Sequence, residues 1–346
     1  MMIKHRFLSI LLFIFTLIFV FSSAFAGDAD RVGTSSGTQV TIPVGGRDIA
    51  LGGSAVATTS GLEALFWNPA GLSKFNGNAQ GMFSTMNYLA DIKVNYFAAG
   101  VNLGAWGVLA IRLKALNFGE IPLTTNQDPY GDFGRTFSPT FTTAGLSWAR
   151  NMTDVIQVGL NMKLIYESVP RASASALAFD IGIQYHNFGN INGLSFGLVV
   201  KNIGTNMSYS GAALLDAVSD PENGSKQYMS RTSLSCQLPA SVDFGFSYDY
   251  ELAPMHKLDV SALFQHNNFS HDLARFGLEY GYNDFLFGRV GYIMPTGGSE
   301  DYYVFGLTAG LGLKYKIGNS FIIFDYAYQA TDYFDPLNIF SFRFQF

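Results

Sequence analysis

"ALAFDIGIQYH", Ala176 to His186, decides the fold. Leu177, Phe179, Ile181, Ile183 and Tyr185 alternate with Ala178, Asp180, Gly182, Gln184 and His186. Successive side chains of a strand point to opposite faces, so this stretch has one greasy face and one polar or tiny one. A helix would instead repeat its apolar residues every three to four positions. The two-residue period returns in "KLDVSALFQH", where Leu258, Val260, Ala262 and Phe264 oppose Lys257, Asp259, Ser261 and Gln265. It returns again in "YVFGLTAGLGLKY", Tyr303 to Tyr315, where glycines, Thr308 and Lys314 sit between the large residues.

Carried along the chain, the same period predicts strands near 79–88, 92–103, 105–116, 139–150, 154–168, 173–187 and 193–203. A second set follows near 239–250, 256–267, 272–282, 284–295, 301–316, 319–330 and 337–346. Fourteen is even, as single-chain bacterial barrels require. If the chain enters from the periplasm, the inner connections are short: Gly104, Asn151–Asp154, Phe188–Asn192, Asn283 and Ile317–Asn319. The two long ones, about 117–138 and 204–238, then fall on the outer side. Aromatic residues near strand ends, such as Tyr280 and Tyr282 or Tyr303 and Tyr315, suit interfacial girdles. The prolines Pro170, Pro295 and Pro336 fall at loop edges, so no strand kink is legible.

Composition agrees. The 346 residues are 48% hydrophobic and 15% aromatic, and only 14% are charged, against roughly 25% in soluble domains. Residues 1–26 read as a secretory signal peptide: Lys4 to Arg6, an apolar run from Phe7, and the small-residue exit Ala24-Phe25-Ala26. Beyond it no stretch of 18 apolar residues forms a spanning helix. The expected class is therefore all-β: a 14-stranded antiparallel transmembrane β-barrel of the bacterial outer membrane. Residues 27–78 form an N-terminal hatch, and 79–346 the barrel.

Several function classes drop out. A formal charge of −5 with no basic stripe argues against nucleic acid. His186, His256, His266 and His271 show no metal-ligand spacing, so no metal is expected. "GTSSG", Gly33 to Gly37, matches the nucleophile-elbow pattern but has no strand ahead of it. No dinucleotide or phosphate-loop fingerprint appears. The reading is of a non-enzymatic protein without a cofactor.

The stretch ahead of the first strand, "GGRDIALGGSAVATTSGLEALFWNPAGLS", is rich in small residues and too irregular to face lipid. Irregular backbone is tolerated at membrane depth only when protein encloses it, so this segment is expected inside the barrel. Ser60 and Glu63 have the spacing of a capping box for a short helix that Pro69 ends. The stretch resembles the N-terminal signature of the PorV/PorQ family, within the wider FadL-like superfamily of outer-membrane barrels. The resemblance is specific over about residues 40–120 and implies a plugged barrel. By motif, Gly46, Arg47, Gly52, Gly53, Asn68, Pro69 and Gly71 would be its hatch residues. The PorV branch implies a role in type IX secretion or surface delivery, with secretion-system proteins or exported cargo as partners. The FadL branch implies passage of long-chain fatty acids or other hydrophobic small molecules, with a head-group Arg or Lys and a lateral opening.

The polar faces of the strands place Arg112, Lys114, Lys163, Glu167, Asp180, Lys201, Asp243 and Asp259 in the lumen. Arg275, Glu279, Arg289, Lys314, Asp325 and Arg343 join them. Mixed signs in an enclosed lumen most simply mean ion pairs holding the hatch, because an unpaired buried charge is costly. A cluster in which Arg or Lys binds the carboxylate of a fatty-acid head group is the sharper alternative.

Overall fold

All fourteen alternating segments form antiparallel strands, and the last returns to pair with the first. The computed structural model describes residues 31–75, 77–219, 226–296 and 303–346; the proposed export signal lies outside them. In chain order the strands are β1 (Ala79–Asn87), β2 (Lys93–Asn102), β3 (Val108–Asn117), β4 (Thr140–Asn151), β5 (Ile156–Val169), β6 (Ala172–His186) and β7 (Leu194–Gly204). Then follow β8 (Ser241–Ala253), β9 (His256–Asn267), β10 (Leu273–Tyr282), β11 (Leu286–Pro295), β12 (Phe305–Ile317), β13 (Ser320–Thr331) and β14 (Leu337–Gln345). The ladder from Gln80↔Gln345 to Asn87↔Asn338 closes the cylinder and removes its edges.

The faces divide as the period requires. On β6, Leu177, Phe179, Ile181 and Ile183 are exposed on the outside, while Ala178, Asp180 and Gln184 are buried within. On β12, Leu307, Leu311 and Leu313 are exposed and Thr308 is buried. An apolar exterior around a polar interior is the transmembrane-barrel arrangement. Tyr250, Tyr280, Tyr282 and Tyr315 ring the end that carries Phe346, here called the inner end. Tyr303 departs from the girdle expectation: it turns inward and meets Phe305 edge-on, with ring centroids 5.8 Å apart.

The long connections 117–140 and 204–241 both leave the outer end. Each contains a small hairpin that the alternation does not reveal: Ile121–Pro122 with Thr136–Phe137, and Leu215–Ser219 with Lys226–Ser230. The wall also has three irregular registers, one of them between Glu251 and Ala253 where β8 pairs with β9. Between β6 and β7 the pairing steps from Phe179↔Ile203 to Ile181↔Val200, and between β12 and β13 it shifts between Phe305 and Thr308. None of the shifted pairs contains a proline.

Residues 31–75 run through the lumen from one mouth to the other. At the outer mouth Arg31 donates to Gln237 Oε1 at 2.9 Å and its guanidinium lies 4.1 Å over Phe269. At the inner mouth the Asn78 amide donates to the Phe346 carbonyl at 2.6 Å. Between them the chain makes only short helical turns: Thr38–Thr41, Gly46–Ala50, Gly61–Glu63, Ala64–Trp67 and Pro69–Lys74. Leu62, Leu65 and Leu72 are fully buried against Met82, Ala98, Val108 and Ala110 of the wall. Each such side chain contributes roughly 1.5–3 kcal/mol of burial.

The capping box does not form, because Ser60 makes no side-chain cap. Glu63 is drawn elsewhere: its carboxylate accepts from the Asp48 amide at 3.0 Å and faces Arg343 at 3.5 Å. Asn68 is the residue that caps. Its Oδ1 accepts from the Ala70 amide at 3.1 Å, and Pro69 begins the following turn, where a missing N–H costs nothing.

Candidate functional site

Two features fasten the hatch to the wall. The first is a buried ion network. Arg47 of the hatch forks onto Glu279 of β10 at 3.1 and 3.2 Å and also reaches Asp48 at 3.0 Å. Arg289 of β11 bonds the same Glu279 and donates to Asp325 of β13 at 2.7 Å. Arg343 of β14 donates to the other Asp325 oxygen at 2.8 Å. The Thr59 hydroxyl donates to Asp48. Every guanidinium here has at least one carboxylate, which is what allows charges to persist out of water.

The second is a shelf of wall glycines. Gly159, Gly182, Gly197, Gly277, Gly291 and Gly310 stand on six strands where the hatch touches the wall. A Cβ on Gly182 would collide with Asn68 Oδ1, one on Gly159 with the Pro69 carbonyl, and one on Gly291 with the Gly52 amide. Asn68 stitches across this contact, donating to Val56 O at 2.9 Å within the hatch and to Ile183 O at 3.1 Å on β6. Gly71 is needed because a side chain there would strike the Thr59 carbonyl. Gly46 lies against the Asp325 backbone and donates its amide to Ser341 Oγ at 2.8 Å. Gly52 and Gly53 have φ of +65° and +75°, a left-handed region that other residues rarely adopt. A Cβ on Gly53 would also enter the Trp67 ring.

Toward the outer mouth the filling stops. A cavity of about 340 Å³ opens above Phe66 and Trp67, which meet edge to face with centroids 5.0 Å apart. Tyr88, Tyr96, Phe269, Tyr303 and Phe305 contribute further rings. Among them stand Arg112, Lys114, Lys163, Lys201 and Arg275, with Asp180 and Asp243 as the carboxylates among the described residues. Asp180 pairs with Lys163, lies 3.6 Å from Arg112, and accepts the Asn202 amide at 2.8 Å where the β6–β7 register breaks. Asp243 takes Lys201 at 2.7 Å. Lys114 donates to the Ile42 carbonyl at 2.8 Å and lies 5.1 Å over the Phe66 ring. Arg275 donates to Gly52 O at 3.0 Å and Gln265 Oε1 at 2.7 Å, and its guanidinium lies 6.0 Å over Trp67. Neither Lys114 nor Arg275 makes an ion pair among the described residues. Glu167, on the same strand as Lys163, accepts from the Tyr209 hydroxyl.

No family model and no curated protein matches the chain, but solved structures do. The P. putida toluene transporter TodX superposes with a TM-score of 0.54 at 12% identity, over 88% of this chain and 99% of that one. The Ralstonia pickettii toluene transporter TbuX gives 0.54 at 13% identity, over 88% and 98%. A Pseudomonas aeruginosa FadL homologue gives 0.51 at 11%, again over 88% and 98%. The fold is that of the FadL-type barrels. At these identities the likeness is one of architecture, and the narrower PorV/PorQ resemblance rests on the N-terminal motif.

Of the charges expected in the lumen, Glu279 and Arg289 join the hatch network, as do Asp325 and Arg343. Arg112, Lys114, Asp180 and Arg275 line the outer cavity together with Lys163, Lys201 and Asp243. Lys314 sits half-exposed at the inner rim, 5.0 Å over Phe321. The hatch motif residues Gly46, Arg47, Gly52, Gly53, Asn68, Pro69 and Gly71 all lie in hatch–wall or intra-hatch contacts. The aromatic pair Phe66-Trp67 stands out in the sequence just ahead of the Asn-Pro-Ala element, but nothing local marks it or the other rings as a pocket lining. An aromatic pair in a segment otherwise made of small residues was the signal available.

Proposed function

We propose that this protein is a bacterial outer-membrane channel for hydrophobic small molecules, with the cavity above the hatch as its binding site. The observation that carries the reading is the ring-lined chamber of about 340 Å³ between the Phe66–Trp67 floor and the outer mouth. Binding pockets for small molecules are typically concave, largely apolar chambers of roughly 300–1,000 Å³ with a few placed polar groups. Neighbours of the same fold whose titles call them toluene transporters support the same class.

Passage past such a tightly fastened hatch favours a route around it rather than displacement of the whole segment. The bulged β6–β7 seam, where Asp180 reaches the Asn202 amide, adjoins the cavity and is the natural place for that route. The toluene transporters that share the fold favour the channel over the type IX secretion role implied by the N-terminal motif. Recovery of exported cargo or a translocon subunit on affinity purification from native membranes would reinstate it.

The test is uptake. Cells whose outer membrane carries the protein should accumulate radiolabelled naphthalene at low external concentration faster than cells without it. The Trp67→Ala variant should lose most of that advantage. Equal uptake by cells with and without the protein, at matched and folded expression, would sink the channel reading.

A further inference from the structure

We propose that the hatch is a proton-sensitive latch: fastened, it holds one proton between Asp48 and Glu63, and it loosens when that proton leaves. The latch concerns the fastening rather than the cavity, so it stands or falls apart from the channel reading. The ion network has an order that its single pairs do not show. Glu63 meets Arg343, Arg343 meets Asp325, and Asp325 meets Arg289. Arg289 meets Glu279, Glu279 meets Arg47, and Arg47 meets Asp48. The signs alternate at every step, so the chain of pairs starts and finishes on a carboxylate.

Its two ends come together, because the Asp48 amide donates to Glu63 Oε1 at 3.0 Å. Two buried carboxylates therefore meet where the alternation calls for a positive charge. Glu63 Oε2 lies 3.5 Å from Arg343 and accepts no hydrogen bond among the described residues. Asp48 meets Arg47 and the Thr59 hydroxyl. The other titratable groups acting on this junction are Tyr96 of β2, Glu279 of β10 and Asp325 of β13, and all three are acids. The strands β1 and β12, packed on the same turns, present Gln80 and Thr308, which carry no charge.

Like charges in contact and out of water are costly, and a shared proton is the smallest charge that removes the repulsion. With it, the alternating chain is neutral. When the turn carrying Glu63 lifts from Arg343 and water enters, both carboxyl groups ionise and the proton goes to solvent. The fastened hatch thus binds one more proton than the loosened one. Low pH favours the fastened form, and rising pH weakens it by at most about tenfold per pH unit.

The experiment uses the full chain, folded in detergent, with a nitroxide on Ser73→Cys in a Cys236→Ser background. Its spectrum separates a packed hatch from a mobile one, and the label itself does not titrate. From about pH 6 to about pH 8 the mobile-to-packed ratio should rise at least about fivefold. Glu63→Gln, added to the same labelled chain, replaces the protonated carboxyl by a neutral amide and should keep the low-pH ratio throughout. Folding is checked by heat-modifiable gel mobility. If Glu63→Gln does not fold, Asp48→Asn takes its place, and if neither folds the response of the chain without them decides alone. A ratio that ignores pH, or a rise that survives in the folded Glu63→Gln protein, overturns the latch. Either result leaves the channel reading to the uptake of naphthalene.

Discussion

The two halves of this lumen handle charge in opposite ways. Around the hatch network, Arg47, Arg289 and Arg343 are matched by Glu279, Asp48, Asp325 and Glu63, and the backbone is pressed against glycines. Above Phe66 and Trp67, cations outnumber carboxylates among the described residues and space is left open. Charges that hold a structure together come with partners from the same chain. In the chamber Lys163, Arg112 and Lys201 also meet carboxylates, while Lys114 and Arg275 bond only neutral oxygens among the described residues. The contrast separates a fastening from a receptor without reference to any relative.

The comparison is most exposed at Asp325, which receives both Arg289 and Arg343. Asp325→Ala leaves two buried guanidiniums short of a partner and should cost about 3–5 kcal/mol, read as a lower urea midpoint for unfolding of the barrel. A loss below about 1 kcal/mol would mean that the network does not hold the hatch.

Next in size is Gly182→Val, which forces atoms into the space of Asn68. Overpacking of this kind costs about 1–3 kcal/mol and should loosen the hatch, raising single-channel conductance in planar bilayers. Unchanged conductance and unchanged stability together would show that the shelf has slack. Asn68→Ala removes the stitch to Ile183 and the cap on Ala70. It should cost about 1–3 kcal/mol and make Arg47 more accessible to trypsin, measured by the rate of hatch cleavage.

The smallest effect belongs to the other half. Lys114→Met removes a buried cation that has no carboxylate partner among the described residues, so its loss strands no opposite charge. Its unfolding midpoint should stay within about 1 kcal/mol of wild type. A large loss would make Lys114 part of the fastening and dissolve the contrast.

Much of the barrel was legible because a strand's period is two and one face must be apolar. Leu177 to Tyr185 could not be placed otherwise. The hairpins in the outer connections were not legible, since five-residue strands such as Leu215–Ser219 are too short for a period to register. The bulge at Asp180 escaped because its cause is a carboxylate taking a backbone amide from the neighbouring strand, an event distant in sequence. The luminal side of the charges could be read, but not their pairing. Arg47 and Glu279 are 232 positions apart, and nothing local to either names the other. The capping-box expectation failed for a related reason: the Glu63 carboxylate found a better partner in the Asp48 amide than a local cap offered.

The ladder between β1 and β14 joins the strands farthest apart in the chain, and the hatch lies immediately ahead of β1. The cylinder therefore remains an open sheet until its final strand arrives. A segment that threads the lumen from mouth to mouth, with its turns fitted to glycines on six strands, has no clear way into a sealed cylinder. The hatch must already lie along the curling sheet when the seam shuts, so the plug is wrapped rather than inserted. Biogenesis of this protein thus has an obligatory order, and a hatch bound too weakly to the nascent sheet would yield a correctly closed but empty pore.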